Sequence, residues 1–362
     1  MKKLLCILDS LDIGGAETFL MKIDRSLDPK EYRFDFVVSK DGGAYISEIK
    51  NRGGRIFVVS HRRKNLYSAL RDIKNIVKEN NYDAVLRLGN SPILTFDLIA
   101  AKFGGAKHLA FRSCNAQTGL SWKSKFVNAI MRPILNIVCD VKIAPSKLAA
   151  EFTFGKRAAQ SDVYILYNGV DLNVFHYDET GRNEIRNEFD FSDKFVVGHI
   201  GRLHTQKNHS FLINVFSEIR KKQPNAVLLL IGIGELEDEI RKQVKDMNLE
   251  SYVVFAGIRR DIPQVLSAMD VFVFPSLHEG MPNTVIEAQS TGLPCVIADT
   301  ITREANITGL VQYLSLNETT DFWAQKAIDA AMTDRKDFTQ DFLLQGYDIQ
   351  SVVKQFVSIL LE

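Results

Sequence analysis

Phe195-Val196-Val197-Gly198-His199-Ile200-Gly201-Arg202-Leu203-His204-Thr205-Gln206-Lys207-Asn208 is an apolar run that ends on a glycine and then offers two cations. Behind it, residues 211–222 carry apolar positions at helical spacing. Strand, turn and amphipathic helix in that order form the repeating unit of a parallel α/β sheet. The unit recurs in both directions. Apolar runs at 227–231, 253–256, 271–274, 294–298 and 311–314 follow it, and runs at 4–8, 34–38, 55–59, 84–88, 109–111, 141–144 and 163–166 precede it. Helical patterns such as 69–79 and 236–247 lie between them. Strands that are apolar throughout are covered on both faces. The alternation restarts after the polar stretch 168–193, which places a junction near residue 172. The expected fold is therefore α/β, with two doubly wound, Rossmann-like parallel-sheet domains, 1–172 and 173–345, facing across a cleft. Residues 346–362 are expected to form a helix that returns to the first domain. In such sheets ligands sit beyond the carboxyl ends of the strands, so the strand-to-helix loops are where chemistry is sought.

A length of 362 residues suits two cores better than one, and 46% hydrophobic with 25% charged residues is an ordinary globular composition. The four cysteines, Cys6, Cys114, Cys139 and Cys295, form no CxxC pair. They point to reduced thiols and a cytoplasmic location rather than to disulfides or zinc. The apolar run after Met1-Lys2-Lys3 stops at Asp9, too short for a signal peptide, and no stretch reaches the length of a membrane-spanning helix. Net charge is +1 overall, yet residues 1–172 hold 27 Lys and Arg against 17 Asp and Glu, and the remainder 18 against 27. A basic first lobe suits an anionic partner.

Four loops carry candidate chemistry. Gly14-Gly15 opens a helix after the first strand, where backbone N–H groups can meet an anion. Arg202 and Lys207 share one loop, the first a planar fork for phosphate oxygens and the second a point charge. Gly232-Ile233-Gly234 lacks the third glycine of a dinucleotide fingerprint, with Glu237 in its place, which disfavours an NAD enzyme. Residues 274–288, Phe-Pro-Ser-Leu-His-Glu-Gly-Met-Pro-Asn-Thr-Val-Ile-Glu-Ala, turn at Gly280-Met281-Pro282 and enter a helix with Asn283 or Thr284 as its cap. Glu279 stands before that helix and Glu287 inside it, so the two carboxylates can touch different parts of one ligand.

Residues 275–288 resemble the Glu-x7-Glu signature of the retaining glycosyltransferases of family 4, which have the GT-B fold. The resemblance extends along the chain through Gly14-Gly15-Ala16-Glu17, Asn168-Gly169-Val170-Asp171, Gly201-Arg202 with Lys207-Asn208, and Phe255-Ala256-Gly257 with Arg259. It is nearest in kind to bacterial enzymes that build capsule, exopolysaccharide or lipopolysaccharide. The resemblance implies that 1–172 is the acceptor side and 173–345 binds the nucleotide sugar, with UDP as its nucleotide. It makes Arg202, Lys207 and Glu279 catalytic, the two cations neutralising the departing diphosphate in place of a metal and Glu279 contacting the sugar. Glu287 would bind the ribose, Met281, Pro282, Asn283 and Thr284 the sugar and phosphates, Arg259 the base, and Gly15 the phosphates from the first domain. No cofactor and no metal are expected, and no nucleic-acid partner. One departure stands out: relatives carry a His-Ser-His-Asn-like run where this chain has Arg112-Ser113-Cys114-Asn115. Arg112 is a candidate for the acceptor side or a purely structural residue.

Arg62-Arg63-Lys64 and the segment Trp122-Lys123-Ser124-Lys125-Phe126, continued by Ile130-Met131-Arg132, combine cations with apolar side chains. That composition suits peripheral contact with an anionic membrane, and with it a saccharide or polyprenyl-diphosphate-linked acceptor. A packed helix, a nucleotide-sugar epimerase on the same fold and a non-catalytic nucleotide-sugar-binding protein are the alternatives.

Overall fold

A computed structural model describes residues 1–12, 14–62, 64–114 and 121–362. The chain divides into two units, Met1–Gly169 with Gly346–Glu362, and Val170–Gln345.

In the first unit, seven strands form one parallel sheet: β1 (Lys2–Ile7), β2 (Tyr32–Val38), β3 (Ile56–Val58), β4 (Ala84–Gly89), β5 (His108–Ser113), β6 (Val141–Ala144) and β7 (Tyr164–Ile165). Their order is β3-β2-β1-β4-β5-β6-β7. Side chains alternate across the central strand. Leu4 and Cys6 enter one buried cluster and Leu5 and Ile7 the other, so both faces of the sheet are covered. The helix Ile349–Leu360 lays Val352 and Phe356 into the first cluster, where the Phe356 ring meets Phe19 and Phe34 at 6.0 Å each.

The carboxyl end of this sheet is tied by charge. Arg87, on β4 and 1% exposed, donates from Nε to Asp97 Oδ2 at 2.8 Å. Arg62 Nε reaches Asp97 Oδ1 at 2.9 Å, and both guanidinium groups also hold Asp9 Oδ1 at 2.9 Å. Arg62, read in the sequence as part of a free basic patch, is instead bound within the fold because it is the partner of a buried carboxylate. Arg63 and Asn115 lie outside the described residues.

In the second unit, six strands, β8 (Phe195–Ile200), β9 (Ala226–Ile231), β10 (Val253–Phe255), β11 (Val271–Phe274), β12 (Cys295–Ala298) and β13 (Val311–Leu314), form a parallel sheet in the order β10-β9-β8-β11-β12-β13. Strand order reverses between β8 and β11. A crevice opens beyond such a reversal because the two crossover helices leave on opposite faces. Here the ladder pairs Val271 with Val197 and Phe272 with Gly198. One residue further on, the His199 ring takes over, Nδ1 meeting the Val273 carbonyl at 2.9 Å. The loops that follow β8 and β11 therefore border this switch point. They are the loops with Lys207 and Glu279.

Candidate functional site

The loop after β8 is built on close backbone approach. A Cβ on Gly232 would stand 2.2 Å from the Gly201 carbonyl oxygen, and one on Gly234 2.2 Å from that of Leu203. The Gly-Ile-Gly segment is thus a packing surface for the β8 loop. Leu203 N–H closes the contact by donating to Ile233 O at 3.1 Å. A short 3-10 turn at Thr205–Lys207 follows, and Asn208 adopts the left-handed conformation (φ 55°) before the helix His209–Lys222.

Three hydrogen bonds stitch this turn to the loop after β11. Leu277 N–H donates to Gln206 O at 2.8 Å, Gln206 Nε2 to His278 O at 2.8 Å, and Asn208 Nδ2 to Pro275 O at 3.2 Å. The stitching brings Lys207 to Glu279, with Nζ to Oε1 at 2.6 Å and side chains 18% and 9% exposed. The ammonium also lies 4.5 Å over the Phe274 ring. Arg202 remains 71% exposed, tied only loosely to the exposed Glu235 at 3.2 Å. Such a surface pair costs little to break, so the guanidinium is available to an anion.

Past the turn, the helix Asn283–Ser290 starts with Pro282 at its N-cap and no side-chain cap. This differs from an Asn283 or Thr284 cap, because Pro282 takes the extended conformation that a cap requires and Asn283 is already helical. Val285 and Ile286 N–H close the first turn on Pro282 O at 3.1 and 3.2 Å. Glu287, Met281 and Glu279 are all buried around it.

Other residues singled out in the sequence have partners of their own. Arg259 gives its guanidinium to Glu188 at 2.5 and 2.8 Å and to Asp261 at 2.9 and 2.5 Å. A role for its side chain would require breaking both pairs; its loop meets the β9 loop through backbone, Gly232 N–H donating to Gly257 O at 2.8 Å. Arg112 is 1% exposed, stacked 3.7 Å over Phe19, and donates to Asn168 Oδ1 at 2.6 Å. Burial pushes its guanidinium down to about 10. These are the contacts of the structural alternative, since β5 is a covered strand. Gly15 opens the helix Gly15–Ser26 in the first unit, behind an N-cap Gly14 that the Glu17 carboxylate folds against. Among the described residues no three of His, Cys, Asp and Glu gather as metal ligands do.

Sequence reading missed two histidines beneath the site. His199 and His209 are 0% and 2% exposed, edge to face with centroids 4.7 Å apart. Burial and then the Lys207 charge push His209 down to about 4, and burial also holds His199 far below its usual value. Both are neutral in the fold but protonated in the unfolded chain below its ordinary value of 6.5. The unfolded state then binds more protons, so stability falls as pH drops from 6.5 towards 4. His209 alone accounts for about 3 kcal/mol of that loss. Melting temperatures at pH 7.5 and pH 4.5 should therefore converge in His209→Phe relative to the unsubstituted protein.

Two all-parallel sheets, with a part-buried lysine–glutamate pair at the switch point of the second, define a two-unit α/β protein. Residues 13–174 match the family model described as Glycosyltransferase Family 4, and residues 194–332 that described as Glycosyl transferases group 1. EpsF of Bacillus subtilis (strain 168), a glycosyltransferase by assignment, is 33% identical over 99% of this chain and 96% of its own. An Escherichia coli UDP-Gal:alpha-D-GlcNAc-diphosphoundecaprenol alpha-1,3-galactosyltransferase is 37% identical over 38% of this chain and 36% of its own. The crystal structure of HepE from Anabaena in complex with UDP superposes with a TM-score of 0.79 at 20% identity, covering 99% of both chains. The chain belongs to the family 4 glycosyltransferases. It is a transferase of the GT-B fold.

Proposed function

We propose that this enzyme moves a hexose or N-acetylhexosamine from a UDP-sugar, with retention at the anomeric carbon. The acceptor is a saccharide carried on a polyprenyl diphosphate, in the assembly of a bacterial surface polysaccharide. The observation that carries the donor half is the Lys207–Glu279 pair at 2.6 Å, at the sheet's switch point and on the same loop as a loosely held Arg202. As the bond from the anomeric carbon to the β-phosphate oxygen breaks, its electron pair leaves with UDP. Lys207, Arg202 and the N–H groups at the start of the helix Asn283–Ser290 would meet that charge, with no metal needed. Fixed donors aimed at developing charge contribute more to such catalysis than any other single effect. The acceptor oxygen would bond to the same face of the sugar, its proton departing on the released diphosphate. Glu279 would contact the sugar and Glu287 the ribose. The UDP bound to HepE and the lipid-linked acceptor in the name of the E. coli relative support this choice of substrates.

A thermal-shift screen of UDP-, GDP- and ADP-sugars, followed by transfer to an undecaprenyl-diphosphate saccharide, tests the reading. UDP-sugars should stabilise the protein and the product should keep the donor's anomeric configuration. Isomerised donor without acceptor, or binding without turnover, would overturn it. So would full activity in both Lys207→Ala and Glu279→Ala.

Membrane contact is part of the proposal. The helix Trp122–Val138 packs inward through Met131 and Leu135, while Trp122, Phe126, Ile130, Ile134 and Ile137 form an exposed stripe, Trp122 at 73%. Arg132 is turned inward to the carbonyls of Phe152 and Thr153, but Lys123 and Lys125 flank the stripe. Apolar residues beside lysines match an anionic bilayer surface. The double variant Trp122→Glu/Phe126→Glu should float with anionic liposomes about tenfold less than the unsubstituted protein. Absence of flotation by the unsubstituted protein at low salt would remove the membrane from the proposal.

A further inference from the structure

What aims Lys207 is not on its own loop. Its ammonium rests on the Phe274 ring at 4.5 Å. Phe274 in turn stacks on His199, centroids 5.3 Å apart and planes 21° from parallel, and His199 stacks on Phe272 at 6.1 Å and 5°. A carbonyl can only accept, so the 2.9 Å contact with Val273 O puts the proton of His199 on Nδ1 and pins the ring beside both phenylalanines, whose own centroids are 5.7 Å apart. Gly201 leaves the room this arrangement needs: a Cβ there would stand 3.1 Å from both His199 Nε2 and Lys207 Cε. His209 meets His199 edge-on. His199 Nε2 and both nitrogens of His209 find no hydrogen-bond partner in the protein. Buried polar atoms without partners are costly, and natural folds keep few of them. Three at one point, below the residue that meets the donor, call for a role.

We propose that His199 is a positioning residue for Lys207, acting through the Phe274 ring, with His209 as the edge that locks it. The inference rests on the donor site proposed above. A stacked neutral imidazole holds the Phe274 face under the ammonium. Burial and the Lys207 charge keep both histidines uncharged, so no second cation stands below the one that must face Glu279 and a diphosphate. The coupling is reciprocal: Lys207 depresses His209, and removal of Lys207 must release it.

Calorimetric titration with UDP tests the positioning. His199→Ala removes the ring that flanks Phe274 and should weaken UDP binding about tenfold, the loss expected of a misaimed charge-assisted hydrogen bond. His199→Phe restores the stack and should recover affinity to within about twofold, a rescue that a merely structural polar role would not give. Unchanged binding in His199→Ala, or equal weakness in both variants, overturns the proposal. Should His199→Ala not fold, Phe274→Leu removes the same platform, and UDP affinity equal to that of the unsubstituted protein would overturn it. Histidine NMR supplies a separate readout. Burial and then the Lys207 charge push His209 down to about 4, and its titration should move up in Lys207→Met, though burial still holds it low. An unmoved titration breaks the proposed contact. If the unsubstituted protein binds no UDP, the donor reading itself fails; if it binds and only the variants disobey, the positioning alone fails.

Discussion

Lys207→Ala is expected to slow transfer by about 10³-fold, measured by initial rates at saturating donor. The expectation follows from where the ammonium sits. It is mostly buried, on an aromatic face, and paired with Glu279 at 2.6 Å. In a site of lowered dielectric, a fixed cation is worth far more to a departing diphosphate than a solvated one. Arg202 cannot replace it, because that guanidinium is 71% exposed and must first be ordered.

The same pair predicts an opposite effect on binding. Glu279 holds the ammonium that a diphosphate would need, so nucleotide must compete with a carboxylate on the protein. Glu279→Gln keeps the shape and removes the competitor. UDP should bind about tenfold more tightly to this variant, while transfer falls about 10²-fold for want of the sugar contact. If Glu279 touched only the sugar, UDP affinity would not change, since UDP carries none. A variant that holds product better and turns over less is also the behaviour expected if Glu279 returning to Lys207 helps to expel UDP.

The class of fold was legible because parallel strands covered on both faces must be apolar throughout. The runs at 84–88 and 271–274, for example, lie in Ala84–Gly89 and Val271–Phe274. Lys207 and Glu279 were legible as candidates because each stands on a strand-end loop, and the structure brings them into contact. What escaped were consequences of distant pairing. Arg259 is adjacent in sequence to the loop it was assigned to, but of the two carboxylates that take its guanidinium one lies 71 residues upstream. Arg112 follows an apolar run, and only the sheet order shows that β5 lies between β4 and β6, where a side chain is covered. His199 stood in plain view within the stretch that decides the fold. Nothing local marks a single histidine in a strand as the neighbour of Phe274, whose strand pairs with it from 74 residues away.

The largest effect on stability is expected in the first unit, at Asp97. Its carboxylate is 1% exposed and serves two guanidinium groups at once, Arg87 Nε on Oδ2 at 2.8 Å and Arg62 Nε on Oδ1 at 2.9 Å. Asp97→Ala leaves Arg87, itself 1% exposed, with Asp9 as its remaining acidic partner, one whose side chain is 73% exposed. Removing one member of a buried ion pair strands a charge that cannot return to water, at a cost of about 3–5 kcal/mol. In a unit of this size that lowers its melting temperature by on the order of 10 °C, read by differential scanning calorimetry. By contrast Glu188→Ala breaks an ion pair on the surface, where Glu188 is 45% exposed, and should cost at most about 1 kcal/mol. The decisive variant is the double one. Asp97→Leu with Arg87→Met removes both buried charges, and most of the lost stability should return, because well-packed apolar groups replace a buried ion pair at little cost. If the double variant melts as low as Asp97→Ala, the network holds the sheet end through its shape and hydrogen bonds to carbonyls such as that of Ile7, and not through compensation of charge.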